Sequence, residues 1–237
     1  MTDAELRYRD LLTLGPEYDE VARASSPRGE VVLRRRGKVL ELRVNGVFVM
    51  DTAETSTERA LARGALDALA CPRDVLVGGL GLGFTAREVL ADSRVETLTV
   101  IEIEPAVIGW LRDGLAGEGS SLFGDDRCRV VEGDLRDFLA AEPDASYDLV
   151  LLDVDNGPDF LVYETNAALY ETSFLRQARR VLRPESRLAV WSSSPSIALD
   201  ESLRLVFGSA SSAPHAVRLQ SRGETYWLST ATRRFDS

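Results

Sequence analysis

Three glycines at alternate positions, Gly79, Gly81 and Gly83, follow an apolar run in "DVLVGGLGLGF", residues 74–84. Glycines at a strand end let the main chain approach a ligand closely, and the N-terminus of the next helix faces that ligand. Glu102 closes the next apolar run, nineteen residues after Gly83. A carboxylate there can accept both ribose hydroxyls of an adenosine. Asp134 ends the third run, in "VVEGDLRDFL", and can accept the adenine amino group, N-cap its helix, or do both. Asp153 and Asp155 end the fourth, in "YDLVLLDVD". The chain has one histidine, His215, so metal sites built on several histidines and serine triads are hard to assemble. Acid–base work falls to carboxylates or tyrosines, and no metal is expected.

The elements that must position these residues follow from the pattern. From Asp74 onward, near-continuous apolar strands alternate with helices, the signature of a parallel sheet covered on both faces. Ligands bind such sheets beyond the C-terminal strand ends. Ahead of it, "GEVVLRRRGKVLELRVNGVFVMD" alternates and turns, with Gly37 and Asn45-Gly46 as punctuation. It predicts three short antiparallel strands between residues 30 and 51, after a polar lead-in over 1–28. "TSTERALARGALDALA" predicts a helix opened by a Thr55–Glu58 capping box. "NAALYETSFLRQARRVL" predicts one long helix, a Pro turn follows, and "HAVRLQSRGETYWLSTAT" predicts a closing hairpin. The division expected is 1–53, lead-in and small β-hairpin domain, and 54–237, a nucleoside-binding α/β domain.

The chain of 237 residues carries 28 basic and 38 acidic residues, a formal charge of −10. So acidic a surface repels phosphate backbones, which argues against nucleic acid as partner. "RRRGK" at 34–38 reads as a solvated hairpin tip. No apolar run reaches the roughly 18–20 residues of a membrane span, and the N-terminus shows no apolar signal core. Cys71 and Cys128 match no metal or redox spacing and read as reduced, mostly buried thiols of a cytoplasmic protein.

The glycine loop leaves its nucleotide open. "GLGFTA" fits the G-x-G-x-x-A form of a dinucleotide fingerprint, and "GLGLG" fits the loop of S-adenosylmethionine enzymes equally well. Four acidic or glycine-rich strand ends in order suit a small adenosyl sulfonium, a cation, better than a dinucleotide with its phosphates.

At this point the chain resembles the spermidine synthases, the aminopropyltransferases, within the class I S-adenosylmethionine-dependent methyltransferase superfamily. The resemblance spans roughly residues 30–195 and rests on "VLVGGLGLGFTAREVL", "VIEIEPAVI", "VVEGDLRDFL", "YDLVLLDVD" and "LYETSFLRQARRVLRP". It implies a Rossmann-like, mostly parallel seven-stranded sheet with a small N-terminal antiparallel β-domain. It implies S-adenosylmethionine or its decarboxylated form as co-substrate and a small-molecule acceptor. Gly79, Gly81 and Gly83 would line the nucleoside, Glu102 would hold the ribose, Asp134 the adenine, and Asp153 would take the proton of the attacking amine. Asp155, Tyr163 and Glu58 fall at the acceptor side. Packing is the expected role of Tyr170, and a core position that of Trp191.

The sequence departs from that family in its diamine half. Leu82 stands where the glycine loop usually has an aspartate, Ser56-Thr57-Glu58 where Tyr-His-Glu is usual, "DVDNGPDF" where D-S-S-D-P-x-G-P is usual, and Val49 at the position of a glutamine. A long diamine wants carboxylates at both ends, and Leu82 removes one, which argues against putrescine. A methyltransferase proper and a non-catalytic nucleoside-binding or scaffold protein are the alternatives, with a dehydrogenase third. The strand edges of the β-domain could pair in a homodimer.

Overall fold

The glycine-rich turn sits at the centre of a seven-stranded sheet, and the chain order around it explains why. In the computed structural model, residues 18–154, 156–219 and 222–235 are described. The chain first forms β1 (Asp19–Ser26), β2 (Gly29–Arg36), β3 (Val39–Val44) and β4 (Val47–Asp51), an antiparallel sheet in that order. The sequence predicts three strands here; the fourth is β1, inside the supposed lead-in. Its composition, "DEVARASS", is that of a half-exposed edge strand, which alternation scarcely marks. Asn45 (φ +51) and Gly46 (φ +76) make the β3–β4 turn, both left-handed as such tight hairpins require.

Helix α1 (Ser56–Asp67) follows, then β5 (Asp74–Gly78), α2 (Phe84–Ala91), β6 (Thr97–Glu102), α3 (Pro105–Arg112), β7 (Cys128–Glu132), α4 (Leu135–Ala141) and β8 (Tyr147–Leu152). After these come α5 (Thr172–Val181), β9 (Leu182–Ser192), α6 (Ile197–Phe207), β10 (Ser211–Leu219) and β11 (Arg222–Arg233). The large sheet has the order β10-β11-β9-β8-β5-β6-β7. Strands β9, β8, β5, β6 and β7 are parallel neighbours, while β10 and β11 add an antiparallel hairpin beside β9. The chain reverses direction of winding at β5, between β6 and β8, and a cleft opens there. The centre is apolar on both faces: Val75, Leu76, Leu98, Val100, Leu149 and Val150 are fully buried. Truncating any one of these leucines to alanine costs about 2–5 kcal/mol.

Four local expectations are corrected. The long helix is broken into a 3-10 turn, Glu164–Tyr170, and α5, because Glu171 is extended (ψ 153). Leu169 and Tyr170 are buried, and the Tyr170 hydroxyl donates to the Val154 carbonyl at 2.9 Å, so the turn packs back on the end of β8. The Pro turn before β9 is a bulge inside the strand: the register jumps from Tyr147–Leu182 to Leu149–Arg187, with Glu185 at φ +61. Proline, lacking an N–H, is tolerated at such a bulge. Thr55 makes no side-chain cap; its hydroxyl accepts from Arg59 Nε at 3.2 Å, and Glu58 turns inward. Cys71, expected to be buried, is exposed. No helix among the described residues is long and apolar enough to cross a membrane.

Candidate active site

The turn after β5 is shaped by what crowds it. Gly79 has φ +93, and a Cβ there would lie 2.1 Å from the Asp153 carbonyl oxygen. Gly81 has φ +50, and a Cβ there would lie 2.6 Å from the Met50 sulfur. The first contact brings the ends of β5 and β8 together, and the second seats the small sheet on the large one. Gly83 caps α2. The N–H groups of the turn are engaged within the fold: Gly79 donates to Ile101 O, Leu80 to Glu102 Oε2, Leu82 to Met50 Sδ at 3.2 Å and Gly83 to Leu80 O. Gly81 also donates to Glu102.

Around this turn lies a cavity of about 130 Å³, open to solvent. Its acids come from three strand ends and one helix: Glu58, Glu102, Glu104, Asp134 and Asp153. No lysine, arginine or histidine is found among its described lining residues.

Glu102 ends β6. Its two oxygens accept from the Leu80 and Glu104 N–H groups, each at 2.9 Å, so it holds the glycine turn in place. Burial pushes its carboxyl above the usual range, against the pull of the backbone N–H groups. Asp134 caps α4, accepting from Arg136 N at 2.8 Å, and Arg136 holds its carboxyl below the usual range.

Asp153 follows β8. Its Oδ2 accepts a hydrogen bond from Thr85 Oγ1, in the first turn of α2, at 2.5 Å. Glu58 stands on the buried stripe of α1, with Thr57, Leu61, Ala62, Ala65 and Leu66. Only 7% of it is exposed, and it accepts from Thr57 Oγ1 at 2.7 Å. Burial pushes both carboxyls up; the Asp153 charge adds to the effect on Glu58, and the Thr85 bond opposes it on Asp153. The two therefore titrate as a pair.

On the β6 side of the cleft a clasp joins three distant segments. Glu104, 3% exposed, accepts from Arg28 Nε at 2.7 Å, Tyr163 Oη at 2.9 Å and Ser26 Oγ at 3.3 Å. Burial, and the hydrogen bond to Glu104, push the Tyr163 hydroxyl up. The loop after β8 is thereby tied to the β1–β2 turn across the cleft.

Glu58, Gly79, Gly81, Glu102, Asp134, Asp153 and Tyr163 all line this cavity. Asp155 lies outside the described residues. Gly83 sits behind the turn, where its Cβ would meet Leu122 at 2.9 Å. Leu82 is 2% exposed and packs in the core, outside the cavity wall. The wall further contains Met50, Glu104 and Trp191, which sequence reasoning left out of the site. Glu104 had a visible signal: in "EIE" it repeats Glu102 two residues on, just before the proline that opens α3.

The sequence profile of the spermine/spermidine synthase domain matches residues 54–209. The chain belongs to that family. It is 36% identical over 157 residues to polyamine aminopropyltransferase 2 of Streptomyces coelicolor, covering 65% of this chain and 27% of that protein. It is 33% identical over 183 residues to the polyamine aminopropyltransferase of Mycobacterium tuberculosis, covering 74% of this chain and 33% of that one. The chain thus spans about a quarter to a third of the length of these relatives. Among solved structures, spermidine synthase from Thermotoga maritima matches with a TM-score of 0.79 at 17% identity, over 92% of this chain and 74% of that one. A spermidine synthase in complex with the transition-state analogue AdoDATO matches with a TM-score of 0.77 at 17% identity, over 92% of this chain and 75% of that one. These two likenesses bear on the fold.

Proposed function

We propose that this protein is an aminopropyltransferase that takes decarboxylated S-adenosylmethionine as donor and a small amine other than putrescine as acceptor. The observation that carries this reading is the charge of the cavity wall: five carboxylates and no cationic side chain among its described residues. The decarboxylated donor is a sulfonium with a terminal ammonium and carries no anion. The carboxylated form brings a carboxylate, and the described wall residues offer it no cation. The N–H groups of residues 79–83 are already engaged within the fold, so the turn does not supply the missing partner.

Within this reading Glu102 and Asp134 hold the ribose and adenine of the donor, beside the turn built by Gly79, Gly81 and Gly83. Of the five acids, Glu104 is paired with Arg28 and Asp134 with Arg136. Glu58 and Asp153 face the reacting end. The acceptor amine attacks the propyl carbon bonded to sulfur. A C–N bond forms, the C–S pair returns to sulfur, and a neutral methylthioadenosine leaves. The ammonium formed gives its proton to Asp153, a base whose raised pKa suits the task. Positioning supplies much of the remaining rate.

Calorimetric titration of the full chain with each form of the donor tests the reading. Tighter binding of the decarboxylated form is expected. Tighter binding of S-adenosylmethionine would turn the assignment to a methyltransferase, and binding of neither would favour a non-catalytic relative.

A further inference from the structure

The main chain of Asp153 is fixed on both sides of its side chain. Its N–H donates to the Gly78 carbonyl at 2.9 Å, and its own carbonyl lies so near Gly79 that a Cβ there would sit 2.1 Å away. Only the side-chain torsions remain to aim the carboxylate into the cavity it lines.

Thr85 is 3% exposed and stands in the first turn of α2, where a β-branched side chain has few χ1 choices. Its hydroxyl carries one proton and has two acceptors around it: Asp153 Oδ2 at 2.5 Å and the main-chain carbonyl of Glu58 at 3.5 Å. The first distance lies within the range of hydroxyl hydrogen bonds and the second beyond it, so the proton is on the carboxylate side. A hydroxyl donating to an ionised oxygen makes a short, strong bond. A threonine that only packed would need its methyl group there, not this partner.

From this geometry we propose that Thr85 is a positioning residue for the transfer step: it engages Asp153 Oδ2 and leaves Oδ1 as the oxygen that receives the acceptor's proton. The inference rests on the transferase reading for that step. The amine's lone pair forms the C–N bond and the C–S pair returns to sulfur. One N–H bond of the new ammonium then breaks, its electron pair stays on nitrogen, and the proton joins Oδ1. Oδ2 keeps its bond to Thr85 throughout, as a carboxylate oxygen before the transfer and as the acid's carbonyl oxygen after it. Because the bond is stronger to the ionised form, Thr85 also keeps Asp153 ready as a base at lower pH than burial alone would allow. Glu58 of α1 lines the same cavity and feels the Asp153 charge. Its side chain is held by Thr57 Oγ1 at 2.7 Å, a bond that an exchange at position 85 leaves in place.

The experiment compares Thr85→Val, which keeps the shape and loses the hydroxyl, with Thr85→Ser, which keeps the hydroxyl. Thr85→Ala takes the place of the valine variant if melting curves show that it does not fold. On the full chain, kcat and KM are measured against pH with decarboxylated S-adenosylmethionine and with diaminopropane, cadaverine and spermidine as acceptors. In Thr85→Val the acid limb of kcat should move up by about one pH unit, turnover below it should fall about tenfold, and KM for the donor should stay as it was. Thr85→Ser should return the limb. The same titration is read without turnover from the carboxyl carbon resonance of Asp153 in isotope-labelled protein, assigned by its loss in Asp153→Asn. An unmoved limb in Thr85→Val, or a shift that Thr85→Ser does not reverse, overturns the inference and leaves Thr85 a packing residue. Turnover of no acceptor by the unaltered chain removes the transferase reading instead. The Asp153 resonance then decides on Thr85 alone: an upward titration in Thr85→Val upholds its hold on Oδ2, and an unchanged one overturns it.

Discussion

Thr85 Oγ1 donates to Asp153 Oδ2 at 2.5 Å, joining the first turn of the helix after the glycine loop to the end of β8. That bond orients the carboxylate and leaves Oδ1 to meet an acceptor. It also opposes the upward push that burial gives the Asp153 carboxyl. Replacing Asp153 with Asn keeps the shape and removes the base. Turnover should fall by about 10²–10⁴-fold, with methylthioadenosine affinity changed little. Full activity in the variant would remove Asp153 from the mechanism.

The raised carboxyls of Glu58 and Asp153 set a pH dependence of stability. In the unfolded chain both titrate in the ordinary carboxylate range; in the folded chain burial makes them hold their protons to higher pH. Between those values the folded state binds more protons, so unfolding free energy falls as pH rises through that window. Urea unfolding midpoints across it should decline for the unaltered chain and decline less for Glu58→Gln. Parallel slopes for the two proteins would contradict the pairing.

Gly79 tests the geometry of the turn without touching charge. A Cβ would meet the Asp153 carbonyl at 2.1 Å, on a backbone at φ +93. The conformation alone costs about 1–3 kcal/mol for a residue other than glycine. Gly79→Ala should therefore lower the melting temperature and abolish nucleoside binding together. A variant that binds normally would show that β5 and β8 can separate at no cost.

Tyr163 closes the clasp on Glu104. Tyr163→Phe removes one donor from a buried carboxylate that keeps Arg28. A loss of about 1 kcal/mol is expected, read as roughly a fivefold weaker Kd for methylthioadenosine by calorimetry. Unchanged affinity would mean that the loop after β8 does not bear on the donor.

Much of the fold could be read because its signals are local. The apolar runs that became β5, β6 and β8 each end on a chemistry-bearing residue, and a strand end is visible in one window of sequence. Glu58 was visible through the resemblance, as the acid kept in Ser56-Thr57-Glu58, while its spacing from Thr55 suggested a capping box that does not form. What escaped is held by pairing across distance. Met50 accepts from Leu82, 32 residues away; Glu104 meets Arg28 at 76 residues and Tyr163 at 59. No periodicity encodes such meetings. Nothing in its local window marks Thr85, whose partner Asp153 lies 68 residues away. The break at Glu171 escaped for the opposite reason. Its neighbours have good helical character, and only the burial of Leu169 and Tyr170 makes the interruption favourable.

The seat of Met50 on Gly81 means that the cleft is made by two sheets and not by one. An occupant bridging them favours the docked arrangement by RT ln(1 + [L]/Kd), so the grip on the N-terminal strands grows with donor concentration. Amide hydrogens of β3 and β4 should then exchange more slowly as the nucleoside is added, which makes the small sheet a reporter of whether the site is filled.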